Sequence, residues 1–559
     1  MPDFIPLGVC VTMAVMRIII VGGVAGGMSA ATRLRRLDET AEIVVVERSG
    51  HVSFANCGLP YHAGGVIAER DDLLLQTPRS LAARFGLDVR VRHEAVGVDA
   101  DARILTVRDL ATGEDSELGY DALLLSPGAR PVRPPIPGIE RALGLRTVED
   151  VDAIVAGAAR SSTAVVIGGG FIGVELAENL ARRGLAVTLV EGADQVLAPL
   201  DAEMVEPVHE RLRERGVRLL LGRTVKSIGP AQVALDDGSV EPAGLVVAAV
   251  GVRPDTGLAA AAGCALAPGG GILVDEHFAT SVPGIWAVGD AVCKTDAIDG
   301  SGVMVALAQT ATLQGRSAAD VIAGRGTVDR PVRGSFIVGV LGLQTAATGW
   351  NERRAAASGR RLRIIHTHPG DHAGYYPGAE QMHLKLVVDA DTDDVLGAQG
   401  VGPAGVDKRI DVIATAMAGG LRAAELGRLE LAYAPQFSSA RDPVNMLGLV
   451  DENLRDGLVE TVQWHELDAA VAAGATVLDV RTPAEHARAA IPGSVLIPLD
   501  ELRERLDELP DGEIVVHCAV GLRGYLACRF LAQHGRRARN LDGGITTWAA
   551  GTASRASGQ

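Results

Sequence analysis

Short apolar runs, glycine turns and amphipathic stretches recur along this chain in a fixed order. MRIIIVGGVAGGMSAATRLRRL reads as a buried strand, a glycine turn and a helix from about Ala25 to Leu37. AEIVVVE follows as a second strand that ends at Glu47, completing a βαβ unit. The same order returns in STAVVIGGGFIGVELAENLARRGLAVTLVE, which ends at Glu191. YDALLLSPGARPVRPPIPG is a short buried strand running into a proline-rich crossover, and GLVVAAVGVRPDT repeats that form after the second unit. GGGILVDEHFATSVPGIWAVGDAV reads as two strands leading to Asp290. From about Pro331 strands and helices continue without glycine fingerprints. ENLRDGLVETVQW is a polar connector, and from Trp464 a last α/β segment alternates the strands ATVLDVR, SVLIPL, EIVVHCAV and RARNLDGG with helices.

Composition narrows this picture. The 559 residues suffice for about three to five domains. A net charge of −16 gives no global attraction for nucleic acid or an anionic membrane. The six cysteines (Cys10, Cys57, Cys264, Cys293, Cys518 and Cys528) are too sparse for a secreted disulfide scaffold. No CxxC or paired Cys/His spacing occurs, so no metal site is expected, and a reducing cytoplasm is the simplest setting. Residues 1–15 read as an extension before the first strand, with Met13 or Met16 as an alternative start. They are too short to span a membrane, and no later run of about 18 apolar residues occurs.

The second glycine turn fits G-x-G-x-x-G with Gly168, Gly170 and Gly173. The first glycine makes the turn, the second admits a pyrophosphate, and the third lets helix and strand pack. Glu191, 18 residues beyond Gly173, stands where an acid accepts bonds from an adenosine ribose; its charge repels a 2′-phosphate and favours NADH over NADPH. In the first turn Gly22 and Gly27 hold the outer positions, but Val24 replaces the middle glycine. Gly23 and Gly26 are the residues left to admit a close backbone approach, and Glu47 supplies the ribose acid.

Two fingerprints in this order, followed by TSVPGIWAVGD, resemble the pyridine nucleotide–disulfide oxidoreductases over about residues 16–455. The resemblance implies FAD on the first unit, held by Gly22, Gly23, Gly27, Glu47 and Asp290, and NADH, with NADPH possible, on the second, held by Gly168, Gly170, Gly173 and Glu191. It implies an α/β fold: an FAD-binding domain over 16–150 and 256–330, an NAD(P)H-binding domain over 151–255, both Rossmann-like, and an α+β domain over 331–455 that makes a homodimer.

SFANCGLPYHAGG departs from the C-x4-C of most such reductases, because no cysteine follows Cys57 within two hundred residues. It resembles the single-cysteine branch: coenzyme A disulfide reductases, NADH oxidases and peroxidases, and CoA persulfide reductases. A lone cysteine is commonly inert packing, but polar Ser53 and Asn56 flank this one. The resemblance implies a Cys57–S–S–CoA mixed disulfide, with CoA contacts at Arg36, Ser53 and Asn56, although RLRR on a helix also suits a solvated face. Such a thiolate needs its pKa depressed by a positive charge, a helix N-terminus or the flavin. Its leaving thiolate needs an acid, for which HAGYYPGAE and LAYAPQFSSARDPVN offer Tyr375 and Tyr433, with Tyr376 as the competitor.

HCAVGLRGY, with Cys518, Gly521 and Arg523, resembles the active loop of rhodaneses, C-x-x-G-x-R. VLDVRTPAEHARAAIPGSVLIPL, with Asp479, Arg481, Glu485, His486, Pro492 and Gly493, and LDGGITTW extend the match over about 460–555. Backbone N–H groups and Arg523 would surround the Cys518 sulfur as thiolate and then persulfide. Gly524 stands where many rhodaneses carry Ser or Thr, so one loop hydrogen bond is expected to be lost. The joint expectation is an NAD(P)H-dependent reductase of CoA disulfide or CoA persulfide, with thiols, disulfides and persulfides as partners, joined to a sulfurtransferase. The alternative is an NADH oxidase or peroxidase that cycles Cys57 through sulfenic acid, its last domain a sulfur-binding module.

Overall fold

The computed structural model describes residues 15–557. Met13, Cys10 and, save Val15, the expected extension lie outside the described residues. No helix among the described residues is long and apolar enough to cross a membrane.

The first sheet is parallel, in the order Ile285–Ala287, Ala122–Leu125, Arg17–Val21, Glu42–Glu47, Asp88–Val91. Its central strands are apolar through their interiors, Ile18–Val21, Ile43–Val46 and Ala122–Leu125, because both faces are covered there. Ile18, Ile20, Ile43 and Val45 pack with Met28, Ala31 and Leu34 of the helix Ala25–Leu37 and with Ala318 and Ala319. Ile19, Val21, Val44 and Val46 face Leu105, Val107 and Leu118 of an antiparallel ribbon. The strand Ile285–Ala287 joins from beyond the second unit, so that unit is an insertion in the first.

The second sheet, also parallel, runs Arg218–Leu220, Ala186–Val190, Thr163–Ile167, Leu245–Ala248. The two crossovers that looked alike in sequence pair with each other: Ala129–Pro131 lies antiparallel to Val252–Pro254 as a two-stranded link between the units.

An antiparallel sheet follows, ordered Phe336–Val340, Leu343–Gly349, Val395–Gly402, His383–Asp389, Leu362–Thr367. The helices Val406–Gly419 and Pro443–Arg455 cover it through Ile410, Ile413, Val444 and Leu447. The last sheet is parallel: Glu460–Val462, Arg537–Leu541, Glu513–His517, Thr476–Asp479, Val495–Leu496. The fold is therefore α/β, with two Rossmann-like units, an α+β third domain and a rhodanese-like α/β fourth.

Candidate functional sites

The two nucleotide units repeat one construction. Gly22 (φ +102°) and Gly168 (φ +104°) turn the chain out of the first strand, where a Cβ would stand 2.1 Å from the Ser126 carbonyl oxygen and 2.4 Å from that of Ala249. A Cβ on Gly27 or Gly173 would meet the carbonyl oxygen of Gly22 or Gly168 at 1.9 Å, so each helix rests directly on its turn. Glu47 accepts the Gly23 N–H at 2.7 Å and Glu191 the Gly169 N–H at 2.5 Å, which places each carboxylate beside its glycine turn.

The middle position separates the units. Gly170, the residue before the helix Phe171–Arg182, has nothing within 4 Å of where a Cβ would sit, so the helix N-terminus opens onto free space suited to a dinucleotide phosphate. Val24, its counterpart, instead packs against the apolar core around the second unit. Gly23 and Gly26 turn out to be needed inside the protein: a Cβ on Gly23 would meet Val52 at 2.7 Å, and one on Gly26 the Ser126 hydroxyl at 2.8 Å.

Asp290 lies on the single turn Gly289–Ala291, at the end of the strand Ile285–Ala287. Its Oδ1 is buried with no hydrogen-bond partner among the described residues. Burial pushes its carboxyl up, against the pull of Lys294 and Arg146. An acceptor held this way is built for a donor from outside the chain, and a flavin ribityl hydroxyl fits it.

Cys57 opens the passage from the short turn Asn56–Gly58 into the helix Leu59–Ala63. It is free and exposed; its N–H donates to Asn56 Oδ1 at 3.1 Å. Ser53 adopts a left-handed backbone (φ +47°), with its N–H on the Gly23 carbonyl at 2.8 Å, which ties the cysteine loop to the first glycine turn. The expected positive charge is not supplied by this chain's residues around the thiol. Surrounding protein pushes the Cys57 thiol up, and the Glu175 and Asp290 carboxylates push it further.

Glu175 carries no motif and was invisible in the sequence. It projects from the helix Phe171–Arg182, accepts the Tyr61 hydroxyl at 3.1 Å, and is itself pushed up by burial. It joins the cysteine helix to the nucleotide helix of the second unit.

The Tyr375 and Tyr433 hydroxyls meet at 2.8 Å, and both side chains are exposed. The bond from Tyr375 raises the Tyr433 phenol. Tyr376 turns away and sets its ring edge-on to His372, 5.7 Å between centroids. Arg36 is exposed and lines a cavity of about 250 Å³ with Ser29, Thr32, Thr312 and Arg316. Arg316, from the helix Ala308–Ile322, is a second cation that no motif announced.

Cys518 follows the strand Glu513–His517 and is fully buried. Its Sγ accepts the Gly521 N–H at 3.1 Å, at the start of the helix Leu522–Gln533. Arg523 is held at this loop by a two-pronged bond to Glu485, at 2.9 and 2.6 Å, which pulls the Glu485 carboxyl down to about 2. Asp479 holds Arg481 at 2.7 Å and His486 Nδ1 at 2.9 Å beneath it. Pro492 and Gly493 precede the strand Val495–Leu496. Gly524 requires a correction: the loop does not simply lose a bond. A Cβ there would lie 2.2 Å from Asn540 Oδ1, while Asn540 Nδ2 donates to the Gly521 carbonyl at 3.1 Å. Asn540 thus occupies the space of a Ser or Thr side chain and ties the loop itself.

Asp201, Glu203 and Glu352 gather at the junction of three domains, and the ammonium of Lys385 stands among them, 2.9 Å from Asp201 and 2.6 Å from Glu352. The cluster is a buried ion network around that lysine.

Known proteins match on the same lines. The family model described as pyridine nucleotide-disulphide oxidoreductase matches residues 16–315, its dimerisation domain 336–444, and the rhodanese-like domain 463–551. A coenzyme A disulfide reductase of Staphylococcus aureus is 33% identical over 437 residues, 77% of this chain and 99% of that protein. The crystal structure of reduced Bacillus anthracis CoADR-RHD superposes with a TM-score of 0.95 at 45% identity, covering 97% of this chain and 99% of that one. The NAD-dependent persulfide reductase from A. fulgidus superposes at 0.90 with 37% identity, covering 95% and 100%.

Proposed function

The chain belongs to the pyridine nucleotide–disulphide oxidoreductase family, and on that premise we propose that Cys57 alone carries its disulfide chemistry, with coenzyme A bringing the second sulfur. The observation behind this reading is Cys57 itself: free, exposed, at the start of a helix, and tied through Ser53 to the first glycine turn. The relatives named above act, by their names, on CoA disulfide and persulfide.

Gly22, Gly27, Glu47 and Asp290 would hold FAD, with Gly23 fixing Glu47, and Gly168, Gly170, Gly173 and Glu191 would hold NADH. Bound FAD supplies the two-electron carrier between nicotinamide and Cys57. The Cys57 thiolate attacks one sulfur of CoA disulfide; the Cys57–S–S–CoA bond forms and one CoA thiolate leaves. Two electrons then cleave that bond, releasing the second CoA thiolate and restoring the Cys57 thiolate. With CoA persulfide the first leaving group is hydrosulfide. In a homodimer Tyr375 and Tyr433 of one subunit give the leaving thiolate its proton at the Cys57 of the other. Arg36 and Arg316 bind CoA phosphates as cations, and Ser53 and Asn56 line the approach.

Cys518 makes the chain bifunctional. Its thiolate takes the outer sulfur of thiosulfate, expelling sulfite, or of a persulfide, expelling the donor thiolate, to become a Cys518 persulfide anion. A CoA thiolate then takes that sulfur, forming the CoA persulfide that Cys57 reduces and restoring the Cys518 thiolate. Trapping tests the first step: incubation with CoA disulfide without NADH should leave one CoA on the Cys57 peptide, removable by dithiothreitol. CoA on Cys518 and not on Cys57 would refute the assignment.

A further inference from the structure

We propose that His366, a residue of the reductase body, is a positioning residue for the Cys518 loop and acts through Asp542. His366 is the last residue but one of the strand Leu362–Thr367 on the antiparallel sheet and is 3% exposed. Its backbone N–H and its Nδ1 both reach Asp542 Oδ2, at 3.0 and 2.7 Å. Its Nε2 lies 3.0 Å from Glu203 Oε1. Both ring nitrogens face carboxylates, so both carry protons and donate.

Asp542 continues into Gly543 and Gly544, and these grip the sulfur loop from behind. The Ile545 N–H donates to the Cys518 carbonyl at 2.9 Å, and the Thr546 N–H to that of Ala519 at 3.1 Å. A Cβ on Gly544 would stand 2.5 Å from the Cys518 carbonyl oxygen, and one on Gly543 2.9 Å from His366 Cβ. With both carbonyls held from behind, the loop turns the Gly521 N–H toward Sγ. The next turn is fastened too: Thr547 Oγ1 lies 2.8 Å from His368 Nε2. On the far side, Glu203 is bound by Lys385 and by Trp464 Nε1, at 3.2 Å for the latter. The segment 542–547 is therefore held by the reductase body on one face and holds the Cys518 loop on the other. The segment that backs the sulfur loop is thus anchored by a side chain that its own domain does not contain.

The test uses full-length, flavin-loaded protein with His366→Ala and His366→Asn; an Asn amide replaces Nδ1 as a donor to Asp542. Hydrogen–deuterium exchange over 516–525 reads the loop whether or not the domain turns over sulfur. His366→Ala should speed that exchange by about tenfold and leave the strand Thr163–Ile167 unchanged. With thiosulfate and cyanide as probes, kcat should fall about tenfold and KM stay within about twofold. His366→Asn should recover most of both effects, while NADH-dependent ferricyanide reduction holds in all variants. Unchanged exchange over 516–525 in His366→Ala overturns the proposal, and so does an Asn variant as impaired as Ala. If His366→Ala does not fold, Asp542→Asn takes its place, and unchanged exchange there overturns it equally. Thiosulfate inert with the wild type would count against the sulfurtransferase reading alone, since exchange still decides this one.

Discussion

The hydroxyls of Tyr375 and Tyr433 meet at 2.8 Å although 58 positions separate them, on two exposed loops of the third domain. In such a pair one hydroxyl donates to the other, and the accepting hydroxyl keeps a free O–H that can protonate a leaving thiolate, the bond then stabilising the phenolate left behind. Tyr433→Phe should lower kcat for CoA disulfide by at least about tenfold, general acids being worth about 100- to 10,000-fold. Tyr375→Phe should do the same, and the double variant should cost little more than either single one. Tyr376→Phe, whose ring is engaged with His372, should stay within about twofold.

His366 gives the domain junction a pH dependence of definite sign. Burial lowers its pKa, but the Asp542 and Glu203 carboxylates outweigh burial and leave it raised to about 9. An unfolded imidazole titrates near about 6.5. The stabilisation is thus fully present below about pH 6.5 and is lost as pH rises through about 9, with a span of order 3 kcal/mol. Thermal unfolding from pH 6 to 9.5 should show the wild type losing stability over this window more steeply than His366→Asn.

Asn540 and Gly524 make a complementary pair, one filling the space the other leaves. Gly524→Ser, which restores the more usual rhodanese residue, should destabilise the last domain by about 1–3 kcal/mol, because Asn540 stands 2.2 Å from the new Cβ. Adding Asn540→Ala should recover part of that loss, as read by thermal unfolding of the double variant.

Much of the fold was legible because its signals are local. Gly22, Gly27, Gly168 and Gly173 declare their turns, and the strand interiors buried on both faces, such as Ile18–Val21 and Ile43–Val46, are unbroken apolar runs. The sulfur loop likewise lies within six residues, from Cys518 to Arg523. What the sequence hid is built from distant segments. Glu175 reaches Tyr61 across 114 positions, and His366 reaches Asp542 across 176 and Glu203 across 163. No spacing rule encodes such pairs, and a histidine alternating into a strand looks the same whether or not it meets a carboxylate. The direction of the Cys57 shift was hidden for the same reason: Glu175 and Asp290 approach it only in the fold.

Glu191 accepts the N–H groups of Gly169 and Ala193 at 2.5 and 2.8 Å, so its carboxylate is fixed beside the second glycine turn. A fixed anion there repels a 2′-phosphate. Glu191→Gln should narrow the preference for NADH over NADPH by at least about tenfold in kcat/KM, measured with each coenzyme at saturating CoA disulfide.

The central claim is that Cys57, with no second cysteine of the protein, reduces CoA-linked disulfide sulfur. Steady-state NADH oxidation by flavin-loaded wild type, Cys57→Ser and Cys518→Ser, with CoA disulfide, CoA persulfide or oxygen as acceptor, tests it most directly. The account predicts that Cys57→Ser keeps its flavin and loses CoA disulfide turnover, and that Cys518→Ser retains it. It also predicts that both CoA acceptors outpace oxygen in the wild type. Full CoA disulfide turnover by Cys57→Ser, or oxygen as the fastest acceptor, would contradict it.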